Sequence, residues 1–414
     1  MEITTSSPEP GPDVEGKPRL FTPFKIGALE LRNRVIRAAA FEGMSQNGRV
    51  TDALIDYHRK VSAGGVGMTS VAYASVSRDG RSYAHQLLLG QEGMARELRR
   101  LTDAVHAEGA AASIQVGHCG YFSAPSVIGT RPIGASRVYN AYTLTFPRAA
   151  TEQDLARLLD DFARGAAEVV EAGFDAIELQ ACHGYLLSQF LSPYTNRRKD
   201  AWGGSLENRL AFPVAALRRV RQAVGPRVPI VIKMNLRDGF EGGLELDEAV
   251  QVARRFEAEG ADALILSGGF VSKVPFYVMR GDIPFKEFYA GQTSLTKKLG
   301  LLVMGKVIVK HFPFFEHYFL EDARAVRAAV KLPLVLVGGL RTLRGMEEVI
   351  VKEGFELVSL ARPLVLEPDL IRKMERGEST ASLCEPCNKC VATMDKGGFY
   401  CPVAEEMLGR KPSA

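Results

Sequence analysis

One unit recurs along this chain: a helical stretch ends near a glycine, and a short apolar run follows it. Glu171–Gly173 leads into one such run and Glu353–Gly354 into another. Glycine is the usual residue just beyond a helix C-terminus, and apolar runs without alternation are typical of strands buried on both faces. The chain contains eight predicted strands: Arg34–Arg37, Val66–Ser70, Ala111–Val116, Asp175–Leu179, Pro229–Met234, Ala263–Leu266, Leu334–Val337 and Leu357–Leu360.

Helical periods separate most of these runs, for example Asp154–Ala172 and Asp247–Glu259. Eight strands alternating with helices predict an α/β fold, the (β/α)8 TIM barrel. The rival open sheet usually carries a G-x-G-x-x-G fingerprint after its first strand, and the sequence contains neither that fingerprint nor a P-loop. We expect a flexible tail over 1–18, a barrel over 19–375 with a long insertion after strand 6 (about 270–320), and a Cys-rich C-terminal extension over 376–414.

Composition excludes several classes of protein. Hydrophobic residues make up 46% of the chain and charged residues 24%, which is typical of a globular fold. The net charge of +4 comes without a Lys/Arg block, so we expect no nucleic-acid partner. No apolar run reaches the roughly 18 residues of a membrane span. Met1–Pro18 lacks the apolar core of a signal peptide, and we expect a cytoplasmic protein.

The densest group of polar side chains follows the fourth strand. Gln180, His183 and Tyr185 lie where that strand is predicted to end, at the face where barrels build active sites. A carboxamide and an imidazole can hold one substrate oxygen, and a tyrosine can deliver a proton from the other side. The alternative is that His183 and Tyr185 are structural residues of a tight turn.

Two polar side chains interrupt the apolar strands that should line the barrel. Gln115 lies near the end of the third strand, and Lys233 near the end of the fifth. An inward amide and an inward ammonium would suit a heterocycle with carbonyl and imide edges. Alternatively, Lys233 is a buried cation paired with Glu178 or Asp262, because a buried charge is costly unless it is paired.

The last two strands each end in small residues followed by arginine. Gly338 and Gly339 precede Arg341, and Ala361 precedes Arg362. Barrels often bind phosphate at this location, so this pattern favours a ligand that carries a phosphate. The alternative is that the glycines serve only a tight turn.

Four of the six cysteines crowd into the C-terminal extension. Cys384, Cys387, Cys390 and Cys401 have the spacing C-x2-C-x2-C-x10-C. Four thiolates at this spacing suit a tetrahedral zinc ion or an iron–sulfur cluster, and the spacing does not choose between them.

A long block of the sequence resembles the old yellow enzymes, the NADH:flavin oxidoreductases and ene-reductases. The block Ile177–Phe212 reads IELQACHGYLLSQFLSPYTNRRKDAWGGSLENRLAF, and shorter matches include Leu20–Val35 and Val337–Thr342. The resemblance covers about residues 20–370. It implies FMN bound noncovalently at the barrel mouth, NAD(P)H as the hydride donor, and an activated alkene with a carbonyl group as the substrate.

The resemblance also implies roles for individual residues. Tyr185 takes the position of the proton donor, and Gln180 and His183 take the positions of the pair that binds the substrate carbonyl. The positions of cofactor-binding residues are taken by Gln115 and Lys233 at the flavin ring, by Ala38 and Ala40 in the loop after strand one, and by Gly338, Gly339, Ala361 and Arg362 at the phosphate.

Two departures from the family pattern affect the expected kinetics. Gln180 stands where the family usually has histidine. The loop after strand one reads Ala38-Ala39-Ala40-Phe41 without the usual Pro-Met-Thr/Cys, so the residue that normally tunes the flavin near C4=O is absent or replaced.

The four-cysteine segment resembles that of the dienoyl-CoA reductase and trimethylamine dehydrogenase branch, in which a [4Fe–4S] cluster relays electrons and a further domain follows. This chain ends 13 residues after Cys401. A cluster here would therefore be a relay to a separate electron-transfer partner or a relic. The alternatives are that zinc takes its place or that the four cysteines are bare thiols.

Three activities follow as hypotheses. The leading one is an FMN-dependent ene-reductase. The second is an oxidative dehydrogenase or C–N oxidase whose electrons leave through the cysteines, and the third is a phosphate-binding aldolase with Lys233 as a Schiff base.

The insertion suggests a lid over the substrate, a contact for a partner or membrane surface, or a helical hairpin packed on the rim. A homo-oligomer is left open.

Overall fold

Eight parallel strands close into a barrel in the computed structural model of the chain, which describes residues 16–291, 310–396 and 398–408. Each strand pairs with the next along the chain, and the last pairs with the first. The predicted (β/α)8 barrel is confirmed, and the predicted strands differ from the observed ones only at their ends. The strands are β1 (Val35–Arg37), β2 (Met68–Ser75), β3 (Ala111–Gly117), β4 (Ala176–Ala181), β5 (Ile230–Asn235), β6 (Ala263–Ser267), β7 (Leu334–Val337) and β8 (Leu357–Leu360).

Helices separate these strands and pack their apolar faces on the barrel. They are α1 (Asp52–Ala63), α2 (Met94–His106), α3 (Glu152–Glu171), α4 (Leu206–Val224), α5 (Leu246–Ala258), α6 (Leu320–Arg327) and α7 (Leu343–Val351). Thr151 caps α3 in a capping box with Asp154. Gly173 follows α3 with a φ of 84°, and Gly354 follows α7 with a φ of 71°, so both glycines adopt the left-handed conformation expected of them.

Shorter elements decorate the strand connections. The short helices are Pro125–Ile128, Leu186–Leu191, Pro275–Val278, Phe285–Gly291, Arg362–Leu366, Leu370–Glu375 and Ala404–Met407. The 3₁₀ helices are Arg19–Phe21, Arg78–Gly80, Gly120–Phe122 and Lys389–Lys396. A two-residue parallel pair joins Ile133–Gly134 to Arg148–Ala149. Within the described residues, no helix is both long and apolar enough to cross a membrane.

An N-terminal hairpin closes the bottom of the barrel. Its strands, Phe24–Ile26 and Leu29–Leu31, pair in antiparallel register. Ile26 and Leu31 pack with Met68, Ala176 and Ala263, the first residues of three barrel strands. The hairpin therefore seals the end of the barrel opposite the strand C-termini, and a site is left to form only at the other end.

The described parts of the insertion and of the cysteine extension both lie at that other end. Between Ser267 and Leu334 the described residues form two short helices before α6, whereas residues 292–309 of the predicted insertion lie outside the described residues, as do residues 1–15 of the predicted tail. The extension pairs Ala381 with Thr342. A Cβ on Gly43, in the loop after β1, would lie 2.1 Å from the Met394 carbonyl oxygen, so this glycine lets the extension pack tightly on the barrel.

A buried ionic network holds the loop after β1. The Arg37 guanidinium donates through Nη1 to Glu42 Oε1 (2.5 Å) and through Nη2 to the Ala40 carbonyl (2.9 Å). The Ala72 amide donates to Glu42 Oε1 at 3.1 Å, and His58 Nε2 lies 3.3 Å from the same oxygen. Because Arg37 and Glu42 are fully buried, the pair is isolated from water and fixes the path of the loop.

We expect Glu42→Ala to lower the free energy of unfolding by about 3–5 kcal/mol, because it leaves the Arg37 guanidinium buried without a counter-charge. Glu30→Ala is the control: Glu30 pairs with Lys25, both side chains are more than half exposed, and such a pair contributes about 1 kcal/mol or less. Denaturant titration measures both variants. A Glu42→Ala protein within about 1 kcal/mol of the wild type would contradict the role given to the network.

Candidate functional site

A large cavity opens where the barrel strands end, with about 1350 Å³ of empty space that includes the solvent at its open mouth. The loop after β1 and the turn after β4 line it with the predicted residues Ala38, Ala40, Gln180, His183 and Tyr185. The other strands and loops line it with Gln115, Lys233, Gly338, Gly339, Ala361 and Arg362. All eleven candidate residues of the barrel therefore surround one space.

A buried carboxylate sits beside this cavity and contacts two of its polar residues. Gln115 Nε2 donates to Glu178 Oε1 at 2.5 Å, and Lys233 Nζ lies 3.3 Å from the same oxygen. Lys233 also donates to the Ala39 carbonyl at 3.3 Å. Of the two partners considered for Lys233, Glu178 is the observed one, while Asp262 pairs with Arg221. The pairing with Glu178 does not withdraw Lys233 from the cavity, which it still lines.

The turn after β4 holds His183 in an unusual backbone conformation. Its φ is 58°, in the left-handed region that non-glycine residues rarely adopt. The His183 amide donates to Asn235 Oδ1 (3.0 Å), and the ring Nε2 lies 2.8 Å from Ser267 Oγ. Burial and the nearby Lys233 lower the pKa of His183 to about 3, so the imidazole is neutral at physiological pH.

Asn235, whose side chain is buried, supports this turn. Asn235 Nδ2 donates to Asp238 Oδ1 and to the Gly269 carbonyl, both at 2.8 Å. Burial raises the pKa of Asp238 to about 6. The amide of Asn235 thus links the β6 loop and a buried carboxyl to the backbone of His183. His183 is therefore held by structural hydrogen bonds and also lines the cavity.

Two oxygen atoms at the cavity remain without a hydrogen-bond donor. Gln180 Oε1 and Ser359 Oγ are buried, and neither has a partner among the described residues. A buried polar group without a partner costs free energy. Such atoms therefore indicate that a ligand with polar edges belongs in this cavity.

Tyr185 lies in an aromatic cluster on one side of the cavity. Its ring centroid is 5.0 Å from that of Tyr73 and 5.7 Å from that of Phe122, both in edge-on geometry. Burial raises the pKa of Tyr185 well above its ordinary value, and the Tyr73 hydroxyl is its hydrogen-bond partner. Tyr185 therefore keeps its proton at neutral pH.

Tyr73 is a site residue that the sequence did not reveal. The predicted second strand ended at Ser70, whereas β2 continues to Ser75 with a register shift between Val71 and Ala74. Tyr73 lies within this irregular stretch and lines the cavity. Bulges of this kind redirect side chains next to active sites and have no reliable sequence signal.

The part of the cavity where the sequence predicts a phosphate site combines glycine and arginine. Gly338 has a φ of 103° and Gly339 a φ of 76°, and their amides have no hydrogen-bond partner among the described residues. A Cβ on Gly338 would lie 2.6 Å from the Tyr318 ring. The glycines thus serve a tight turn, as the alternative held, and also leave two amides for an anion. Arg341 and Arg362 line the same region.

The four cysteines of the extension line a second, smaller cavity next to the first. Cys384 and Arg362 line both cavities. Across the described ranges, however, no three Cys, His, Asp or Glu side chains stand close enough together to hold one metal ion. The thiols are gathered, but as placed they do not form a complete set of metal ligands.

Residues of the insertion also reach the large cavity. Val271, Val278, Met279, Phe314 and Tyr318 form part of its wall. Part of the described insertion therefore lies at the cavity wall, and its role as a lid stays a prediction. From the extension, Pro386, Val391, Met394 and Phe399 complete the wall.

Comparison with known proteins assigns the family. Residues 19–281 match the NADH:flavin oxidoreductase / NADH oxidase family. The chain is 40% identical over 395 residues to the 4,4'-dithiodibutanoate disulfide reductase of Rhodococcus erythropolis, covering 95% of this chain and 97% of that protein. The chain therefore belongs to this family, as its resemblance to the old yellow enzymes implied.

Solved structures agree on the fold. A 2-naphthoyl-CoA reductase in complex with 2-naphthoyl-CoA superposes with a TM-score of 0.80 at 24% identity, over 94% of this chain and 58% of that chain. The old yellow enzyme homologue from Zymomonas mobilis gives a TM-score of 0.71 at 20% identity, over 94% and 98% of the two chains. This chain thus spans little more than half of the first of these proteins.

Family membership makes the protein an FMN-dependent NAD(P)H oxidoreductase, and the cavity fits that cofactor. The orphaned oxygens of Gln180 and Ser359, the donors of Gln115 and Lys233, and the free amides of Gly338 and Gly339 suit a ligand with a polar ring and an anionic end. An aldolase with Lys233 as its Schiff base has no support from the family.

Proposed function

We propose that the protein reduces a carbon–carbon double bond activated by a carbonyl group, with Tyr185 as the proton donor. The observation that carries the proposal is the placement of a protonated tyrosine at the same cavity as the Gln180 carboxamide and the His183 imidazole. These groups would lie on different sides of one substrate. Reduced FMN, when bound, supplies the hydride.

Each of these side chains has a distinct task in the proposed reaction. The Gln180 carboxamide and the neutral His183 ring hold the substrate carbonyl oxygen and draw electron density from the alkene. The hydride adds to the β-carbon, and Tyr185 delivers its proton to the α-carbon. The Tyr73 hydroxyl then stabilises the Tyr185 phenolate by a hydrogen bond until solvent returns the proton. The aromatic cluster of Tyr185, Tyr73 and Phe122 excludes water from the reacting carbons.

The test is anaerobic mixing of the NAD(P)H-reduced protein with 2-cyclohexenone, followed by the return of the flavin absorbance. We expect Tyr185→Phe to slow this step by about 100-fold, since a positioned general acid contributes roughly 10²–10⁴-fold. Tyr139→Phe is the matched control, because Tyr139 is exposed and does not line the cavity. If the enone leaves the wild-type flavin bleached, the proposal is wrong.

A second candidate is the reduction of an organic disulfide. It is favoured by the 40% identity to a disulfide reductase over nearly the full length of both chains. In this reaction the hydride breaks the S–S bond to give one thiol and one thiolate, and the thiolate takes up a proton. Because a thiolate is a stable leaving group at neutral pH, with a thiol pKa of about 8.5, it needs little help from Tyr185.

The same experiment with 4,4'-dithiodibutanoate separates the two candidates. Fast re-oxidation by the disulfide that Tyr185→Phe slows less than about tenfold would support disulfide reduction. Re-oxidation by the enone alone, with the large Tyr185 effect, would support alkene reduction.

We further propose that Cys384, Cys387, Cys390 and Cys401 bind a [4Fe–4S] cluster or, in its place, zinc. The four cysteines line one small cavity, and four thiolates suit a soft metal, whereas in their observed positions no three of them surround one ion. The contact of Cys384 with both cavities supports the related hypothesis that electrons leave the flavin through this segment.

Metal analysis of protein prepared without oxygen tests this assignment. We expect about four iron and four sulfide per chain for a cluster, or about one zinc. Cys387→Ser should remove the metal, whereas Cys182→Ala should retain it, because Cys182 is buried elsewhere in the barrel. Wild-type protein with neither iron nor zinc would overturn the proposal.

A further inference from the structure

An asparagine inside the cysteine segment is buried and has a left-handed backbone conformation. Asn388 lies between Cys387 and Cys390, and only 1% of its surface is exposed. Its φ is 57°, in the left-handed region that asparagine tolerates better than most residues. Its backbone conformation and its burial both restrict which residue can stand here.

The side chain of Asn388 joins three segments of the chain. Its Nδ2 donates to the Met279 carbonyl at 2.7 Å and to the Asp282 carbonyl at 2.9 Å. Its Oδ1 accepts from Arg362 Nη1 at 2.6 Å. The insertion after β6, the loop after β8 and the cysteine segment therefore meet at one carboxamide.

Of the groups that contact Asn388, Arg362 is the charged side chain that lines the large cavity. Arg362 lines both the large cavity and the cysteine cavity. Its two hydrogen bonds from Nη1 go to neutral oxygens, those of Asn388 and of the Arg280 carbonyl (2.9 Å). None of the ion pairs among the described residues includes Arg362. No carboxylate among the described residues pairs with this guanidinium, so its charge is available to an anion in the cavity.

We propose that Asn388 is a positioning residue that orients Arg362 toward the phosphate of the bound cofactor. Through it, the cysteine segment contributes to phosphate recognition by the barrel without touching the cofactor. The inference rests on the proposed role of Arg362 at the phosphate. An aspartate at 388 would accept the same hydrogen bond but would neutralise the guanidinium and lose both donors, which is a reason for a neutral amide here.

The test compares the dissociation constants of FMN and of riboflavin, which lacks the phosphate, for the full-length protein after removal of its flavin. Flavin fluorescence measures both constants. Asn388→Gly removes the carboxamide while permitting the left-handed backbone. We expect it to weaken FMN binding by about tenfold, which corresponds to a hydrogen bond to a charged group, and to leave riboflavin binding unchanged.

Asn196→Gly is the matched control. Asn196 is also buried, and its Nδ2 also donates to two carbonyls, those of Phe190 and Trp202, but it does not line the cavity. This variant should leave the ratio of the two constants unchanged. If Asn388→Gly does not fold, Asn388→Asp decides the question, and we expect the same selective loss of FMN affinity.

Arg362→Gln separates the inference from its premise. If this variant leaves the ratio unchanged, Arg362 does not read the phosphate, and both the premise and the inference are wrong. If it lowers the selectivity for FMN while the Asn388 variants weaken both flavins equally or neither, then Asn388 is only a structural residue and the inference alone is overturned.

Discussion

A single buried carboxylate, Glu178, organises the polar end of this barrel. It projects from β4 and contacts the side chains of Gln115 on β3 and Lys233 on β5, and Lys233 reaches in turn to the carbonyl of Ala39 after β1. Without Glu178, an ammonium would stand buried among apolar strands, which is costly. Because Glu178 contacts both Lys233 and Gln115, the cation and the amide donor can both be buried at a site that suits a polar ring.

Buried polar pairs also hold the loops that line the cavity. Arg37 and Glu42 fix the loop after β1, and Asn235 fixes the backbone of His183. These contacts fix the backbone of the loop after β1 and of the turn after β4, so the cavity side chains that these segments carry are oriented before a ligand arrives. Such preorganisation is what positions donors for developing charge at low cost.

Most of the barrel could be predicted from the sequence because its strands are buried on both faces and leave continuous apolar runs. Most candidate site residues could be found because they stand at the ends of those runs, where the topology places them around one space. Ala38 and Ala40 were identified only through the resemblance to the old yellow enzymes. Tyr73 could not be found, because an irregular stretch of β2 carries it there. Asn388 and the N-terminal hairpin also escaped prediction, since their importance lies in contacts between segments distant in the sequence.

The most direct test of this account is the midpoint reduction potential of the FMN-loaded protein carrying Glu178→Gln. Reduction adds negative charge to the flavin ring, and the substitution would leave Lys233 without its counter-charge. The potential should therefore become more positive by about 30 mV or more, equivalent to about 1.4 kcal/mol for a two-electron couple. Asp161→Asn is the control, because Asp161 is a buried carboxyl that pairs with Arg157 and does not line the cavity. An unchanged or more negative potential in Glu178→Gln would contradict the central role of this carboxylate.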